Sequence, residues 1–127
     1  MLGIFKKKDS KYNDRNPVDW ISLTSLEQLE NITVDSEIET VYIFKHSTRC
    51  GISKMVLNRF EKSLSESIKK CKFYYLDLLA YRNISDQISL TFEIIHQSPQ
   101  LLVIKNKVAV ANASHYDILD MDIEKYA

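Results

Sequence analysis

Residues 46 to 53 read His-Ser-Thr-Arg-Cys-Gly-Ile-Ser and hold Cys50, one of two cysteines in the chain. A thiolate in such a stretch attacks disulfides, because only the ionised sulfur is a nucleophile. Three residues on, where a dithiol site would carry its second sulfur, stands Ser53. A hydroxyl there is able to donate a hydrogen bond to the thiolate. It is unable to displace a substrate from a mixed disulfide, so a one-sulfur site must hand its adduct to an outside thiol. Small cellular thiols are the natural acceptors. The plainer alternative is an ordinary small buried residue at a helix start.

The flanking elements decide where that sulfur sits. Thr40-Val41-Tyr42-Ile43-Phe44 is apolar on both parities, as expected of a central, parallel strand covered on both faces. Ile52, Val56, Phe60, Leu64 and Ile68 then recur every four residues, with Leu57 beside them, which predicts an amphipathic helix of about five turns. Cys50 therefore falls at a strand-to-helix junction. The free N–H groups and dipole of the helix start favour thiolate over thiol there. Arg49 adds positive charge, and Lys45, His46 and Lys54 are close in sequence.

The remaining pattern supplies a frame. Val18 to Ile21 reads as a short first strand, and Ser25 as the cap of a helix carrying Leu26 and Leu29. Phe73 to Leu78 is a second buried strand, followed by a helix from about Asn83 or Ser85. Ser98-Pro99-Gln100 introduces a third strand, Leu101 to Lys105; Asn106-Lys107 turns the chain and Val108 to Ala111 returns. Ser114 is placed to cap a short last helix through Ile118 and Leu119. The order β-α-β-α-β-α-β-β-α predicts an α/β fold: a central mixed sheet, flanking helices and a C-terminal β-hairpin. That is the element order of a thioredoxin-like fold, one option among several α/β folds. In that fold a cis-proline faces the cysteine, and Ser98-Pro99 stands where it would lie. A trans proline that ends the preceding helix is the alternative.

At 127 residues the chain suits one domain, taken as residues 18–127 behind a mobile tail of residues 1–17. Lys plus Arg number 17 and Asp plus Glu number 17, which argues against a nucleic-acid partner. No apolar run is long enough to span a bilayer, so no membrane partner is expected. Leu2 to Phe5 is too short for a signal-peptide core, Gly3 is not the second residue, and an anchor through Ile4 and Phe5 is the lesser reading. Two cysteines without an export signal point to a reducing, cytoplasmic setting. Cys71 reads as a buried structural thiol, and Asp77 as the one acid inside an apolar strand. His46 and His96 lack partners at metal-ligand spacing, so no metal is expected.

With Cys50-Gly51-Ile52-Ser53, Ser98-Pro99-Gln100, Ala113-Ser114-His115 and Phe44-Lys45-His46-Ser47-Thr48 assembled, the chain resembles the monothiol bacilliredoxins from about Trp20 onward. That family's cysteine is followed by Pro-Ile-Ser; here Gly51 replaces the proline. The resemblance implies a thiol-disulfide oxidoreductase. Cys50 would take bacillithiol, or another low-molecular-weight thiol, from S-thiolated client proteins. Arg49, Ser53, Ser98 and Pro99 would support it, and Ser114 with His115 would hold the small thiol. It implies no tightly bound cofactor, with the small thiol as co-substrate, and a monomer. Two other readings stay open. Cys-Gly-Ile-Ser is also similar to the Cys-Gly-Phe-Ser of monothiol glutaredoxins, which share an Fe–S cluster with glutathione between subunits. That family usually has paired glycines where this chain has Ala113-Ser114. A thioredoxin-fold module that only binds a partner is the third.

Overall fold

The strand that is apolar on both parities takes the middle of the sheet. The computed structural model describes residues 18–127, so the tail reading of residues 1–17 lies outside the described residues. The elements are β1 (Ile21–Ser22), α1 (Leu26–Asp35), β2 (Val41–His46), α2 (Gly51–Ser63), β3 (Lys72–Asp77), α3 (Arg82–Phe92), β4 (Gln100–Lys105) and β5 (Val108–Ser114). Short 3₁₀ turns cover Ile68–Lys70, His115–Asp120 and Ile123–Tyr126. The sheet has the order β1-β3-β2-β4-β5, with β2 parallel to β3 and antiparallel to β4. This is the thioredoxin-like α/β fold, with a mixed sheet and helices on both faces.

Alternation along the strands builds two cores. Val41, Ile43, Leu76, Leu102 and Ile104 pack against Leu29 and Ile32 of α1 and Ile84 and Ile88 of α3. Tyr42, Phe44, Phe73, Leu101 and Val103 pack against Val56 and Phe60 of α2. Each such large apolar side chain contributes roughly 1.5–3 kcal/mol on burial. Ser25 caps α1 in a reciprocal capping box with Gln28, as its sequence position predicts. The β4–β5 hairpin turns at Asn106 (φ 50) and Lys107 (φ 70), the pair of positive values that suits the twist of a two-residue hairpin.

Three expectations need correction. The first strand begins at Ile21, and Trp20 instead plugs the α2-side core, edge-on to Phe44, Phe73 and Tyr75, while its Nε1–H donates to Glu61 at 2.6 Å. The long helix stops at Ser63 after 13 residues, well short of Ile68. Serines explain the break: Ser63 Oγ donates to Phe60 O at 2.7 Å, and Ser65 Oγ accepts from Ile68 N–H, so hydroxyls compete with the helical ladder. Leu64 and Ile68 still reach the core, which is why their spacing imitated a continuous helix. Finally, the segment after Ser114 is 3₁₀, with no cap hydrogen bond from the Ser114 side chain.

Candidate active site

Cys50 is the N-cap residue of α2, in extended backbone (φ −104, ψ 121), four residues past the end of β2. Its thiol is free and half-buried. Its N–H donates to Ser47 O at 3.2 Å and its C=O accepts from Lys54 N–H at 3.1 Å, which closes the approach loop onto the helix. Arg49 and Lys54 are exposed on either side. The sulfur takes no cap hydrogen bond from the helix start.

Ser53 does not serve as the expected donor to that sulfur. It is fully buried (0% exposed), and its Oγ lies 2.7 Å from His46 Nδ1 while accepting from Ser47 N–H at 3.1 Å. The hydroxyl thus ties strand end, loop and helix together. The reason is parity: His46 follows Tyr42 and Phe44 on the face of β2 that meets α2, so its ring points into the first turn of the helix. Burial lowers the His46 pKa, Asp77 opposes that shift and Lys54 adds to it. Asp77 pairs with His46 in the parallel register, and its Oδ1 is buried without a hydrogen-bond partner. The acid therefore closes β3 at the site, instead of lying inside the strand.

The Ser98–Pro99 peptide bond is cis. Gln100, the next residue, pairs with Lys45 in the antiparallel β2–β4 ladder, so the proline loop and the cysteine loop leave neighbouring strand ends. Ser98 Oγ is buried and unpartnered. Ser114 continues the ladder opposite Gln100, and His115 N–H donates to Pro99 O at 2.9 Å. That donor is occupied, so only the exposed His115 ring faces outward for a ligand. The His115–Asp120 turn packs on α2, bringing this segment to the cysteine side.

One cluster was not foreseen. Lys45, counted in the sequence among the nearby positive charges, is fully buried (0% exposed) on the opposite face of β2. Its Nζ lies 3.2 Å from His96 Nδ1 and 3.5 Å from both Ser85 O and Ser89 Oγ. Burial pushes its pKa from 10.5 down to about 8. Burial and then Lys45 lower the His96 pKa. Gln100 Nε2 donates to Ile95 O at 3.0 Å, so both side chains pin the segment leading to Pro99. Strand parity was the available signal, since position 45 falls in step with the core residues Val41 and Ile43.

Residues 21–123 match the family described as Monothiol bacilliredoxin BrxC. The chain belongs to the monothiol bacilliredoxin family. A solved structure described, provisionally, as an oxidoreductase with a thioredoxin fold is 33% identical, covering 80% of this chain and 88% of its own, with a TM-score of 0.68. The thioredoxin of Malassezia sympodialis is 22% identical over 91% of this chain and 98% of its own, with a TM-score of 0.70. The reduced Schistosoma mansoni thioredoxin pre-protein is 23% identical over 85% and 98%, with a TM-score of 0.67. These two show the fold alone. Membership in the bacilliredoxin family gives the chain a redox thiol function. Among the described residues no helix is long and apolar enough to cross a membrane.

Proposed function

We propose that this bacilliredoxin removes bacillithiol, or another low-molecular-weight thiol, from mixed disulfides on client proteins by exchange at Cys50. The observation that carries the reading is a lone half-buried thiol at the N-cap of α2, with a hydroxyl already held by His46 where a resolving sulfur would stand. The Cys50 thiolate attacks the small-thiol sulfur, a Cys50–small-thiol disulfide forms, and the client leaves as a thiolate. Ser53 cannot reverse this capture, so a second small thiol, or a reductase acting on it, resets Cys50. Such turnover belongs in a reducing compartment, the cytoplasm, and needs only a monomer.

Intact-mass measurement tests it. Wild type and Cys50→Ser are exposed separately to bacillithiol disulfide and glutathione disulfide. One adduct on wild type, none on Cys50→Ser, and a preference for bacillithiol are expected. Equal labelling of Cys71, or no adduct, overturns the reading. A brown protein as isolated would move it to cluster carriage.

A further inference from the structure

The chain between α3 and Pro99 is held by its backbone and ring while its side chains stay outside. Lys45 and Gln100 are Cα partners across the β2–β4 ladder, and both are fully buried. Gln100 Nε2 donates to Ile95 O at 3.0 Å, and Gln100 Oε1 accepts from Gln97 N–H at 3.4 Å. Lys45 Nζ donates to His96 Nδ1 at 3.2 Å. Two neighbouring side chains thus grip three consecutive residues. All three are nevertheless exposed, Ile95 at 83%. The grip costs stability: among the described residues no carboxylate is in hydrogen-bond contact with the buried Lys45 ammonium. Proteins break such packing rules chiefly where function needs it.

An ammonium has donors only, so His96 Nδ1 accepts and the ring carries its proton on Nε2. Burial and Lys45 lower the ring's pKa, so at neutral pH His96 presents an N–H and no charge. An exposed isoleucine beside an uncharged donor suits an extended polypeptide, with an apolar side chain for Ile95 and a carbonyl oxygen for His96. The segment runs directly into Ser98–Pro99 and Gln100. Gln100 pairs with Lys45, and one residue further along β2, at His46, the Cys50 loop begins. The segment therefore borders the end of the sheet from which the cysteine loop leaves. We propose that Ile95 and His96 read the polypeptide around the modified cysteine of a client, held ready by Lys45 and Gln100 as positioning residues. This rests on the exchange reading above and names the feature recognised, an apolar residue beside the thiolated cysteine. Pinning the segment beforehand lowers the ordering cost of binding.

The test uses two short peptides, each with one cysteine as its bacillithiol mixed disulfide, flanked by leucines in one and serines in the other. Bacillithiol disulfide is the substrate without polypeptide. KM and kcat are measured for wild type, Ile95→Ser and Lys45→Met, with bacillithiol as the resetting thiol. Wild type is expected to favour the leucine peptide. Ile95→Ser and Lys45→Met should raise its KM about tenfold at unchanged kcat, and leave bacillithiol disulfide unaffected. Lys45→Met should do so while melting at a higher temperature, which separates positioning from lost stability. Equal KM for the two peptides in wild type, or an unchanged KM in Ile95→Ser, overturns the proposal. A wild-type KM in Lys45→Met overturns the positioning role. A matching rise for bacillithiol disulfide would give the segment to the small thiol, and a dimer lost in Ile95→Ser would give it to a second copy; either overturns the proposal. Cys50→Ser is also titrated with the unmodified peptides and followed by NMR. Shifts at Ile95 and His96 with the leucine peptide alone, but no release of bacillithiol by wild type, would overturn the exchange reading and leave the recognition surface standing.

Discussion

Cys50 and Cys71 are both free, half-buried thiols at opposite ends of one sheet. Cys71 precedes Lys72, which pairs with Val41 at the start of β2, and Cys50 follows His46 at the other end of that strand. Six strand residues separate the ends by roughly 20 Å, far beyond the reach of a disulfide. At the Cys71 end the buried polar groups are satisfied. Thr40 Oγ1 donates to Tyr126 O and Ser36 Oγ accepts from Lys107 N–H at 2.9 Å, while the partly exposed Lys72 pairs with Asp35 at 2.9 Å. At the Cys50 end, Asp77 Oδ1 and Ser98 Oγ are buried and unpaired, and a lysine is fully buried without a carboxylate in hydrogen-bond contact. Clefts of about 360 and 470 Å³ both border Cys71. Unmet hydrogen-bonding capacity separates structure from chemistry better here, because stability selects for its removal and function gives a reason to keep it.

The largest effect expected from this contrast is the loss of exchange. Cys50→Ser should reduce transfer of a small thiol from a modified client by roughly a thousandfold or more, since among the described residues no other thiol lies at that end. Cys71→Ser should stay within about twofold of wild type. Comparable losses in both variants would erase the distinction.

The buried lysine gives the next largest. A folded-state pKa lowered from 10.5 to about 8 means that folding costs about 3 kcal/mol at neutral pH through this group. The cost is complete below pH 8 and disappears as pH rises to 10.5, where the unfolded lysine also loses its proton. Lys45→Met should therefore stabilise the protein by about 1–3 kcal/mol at pH 7, less the value of the bonds to His96 and Ser85, and by little at pH 10.5. Urea denaturation at the two pH values measures the difference, and equal effects at both would remove the charge from the explanation.

Cys71 gives a smaller effect of opposite sign. Burial first, and Glu39 second, raise its pKa above 9.0. Glu39→Gln should speed its alkylation a few-fold at pH 8.5 without altering Cys50, readable by peptide mass mapping.

The smallest concerns Gly51, where the family carries proline. Gly51 is the first residue of α2, a Cβ there meets nothing within 4 Å, and Cys50 already has the extended backbone that precedes proline well. Gly51→Pro should add about 0.5–1 kcal/mol by restricting the unfolded chain. A destabilised variant in thermal melts would show that the loop needs the glycine.

The amino-acid sequence by itself determined the frame: which strands are central, where Cys50 falls between β2 and α2, the Asn106-Lys107 turn and the family resemblance. These rest on local periodicity, capping and turn chemistry, which operate over a few residues. It overran α2 because Leu64 and Ile68 keep their four-residue spacing after the serines have broken the helix. Tertiary structure alone decided that His46 holds Ser53 across seven positions, that Asp77 pairs with His46 in the strand register, and that the buried Lys45 meets His96. Those pairings depend on strand register and on which face each side chain takes, and register is set only when the strands come together around their two cores.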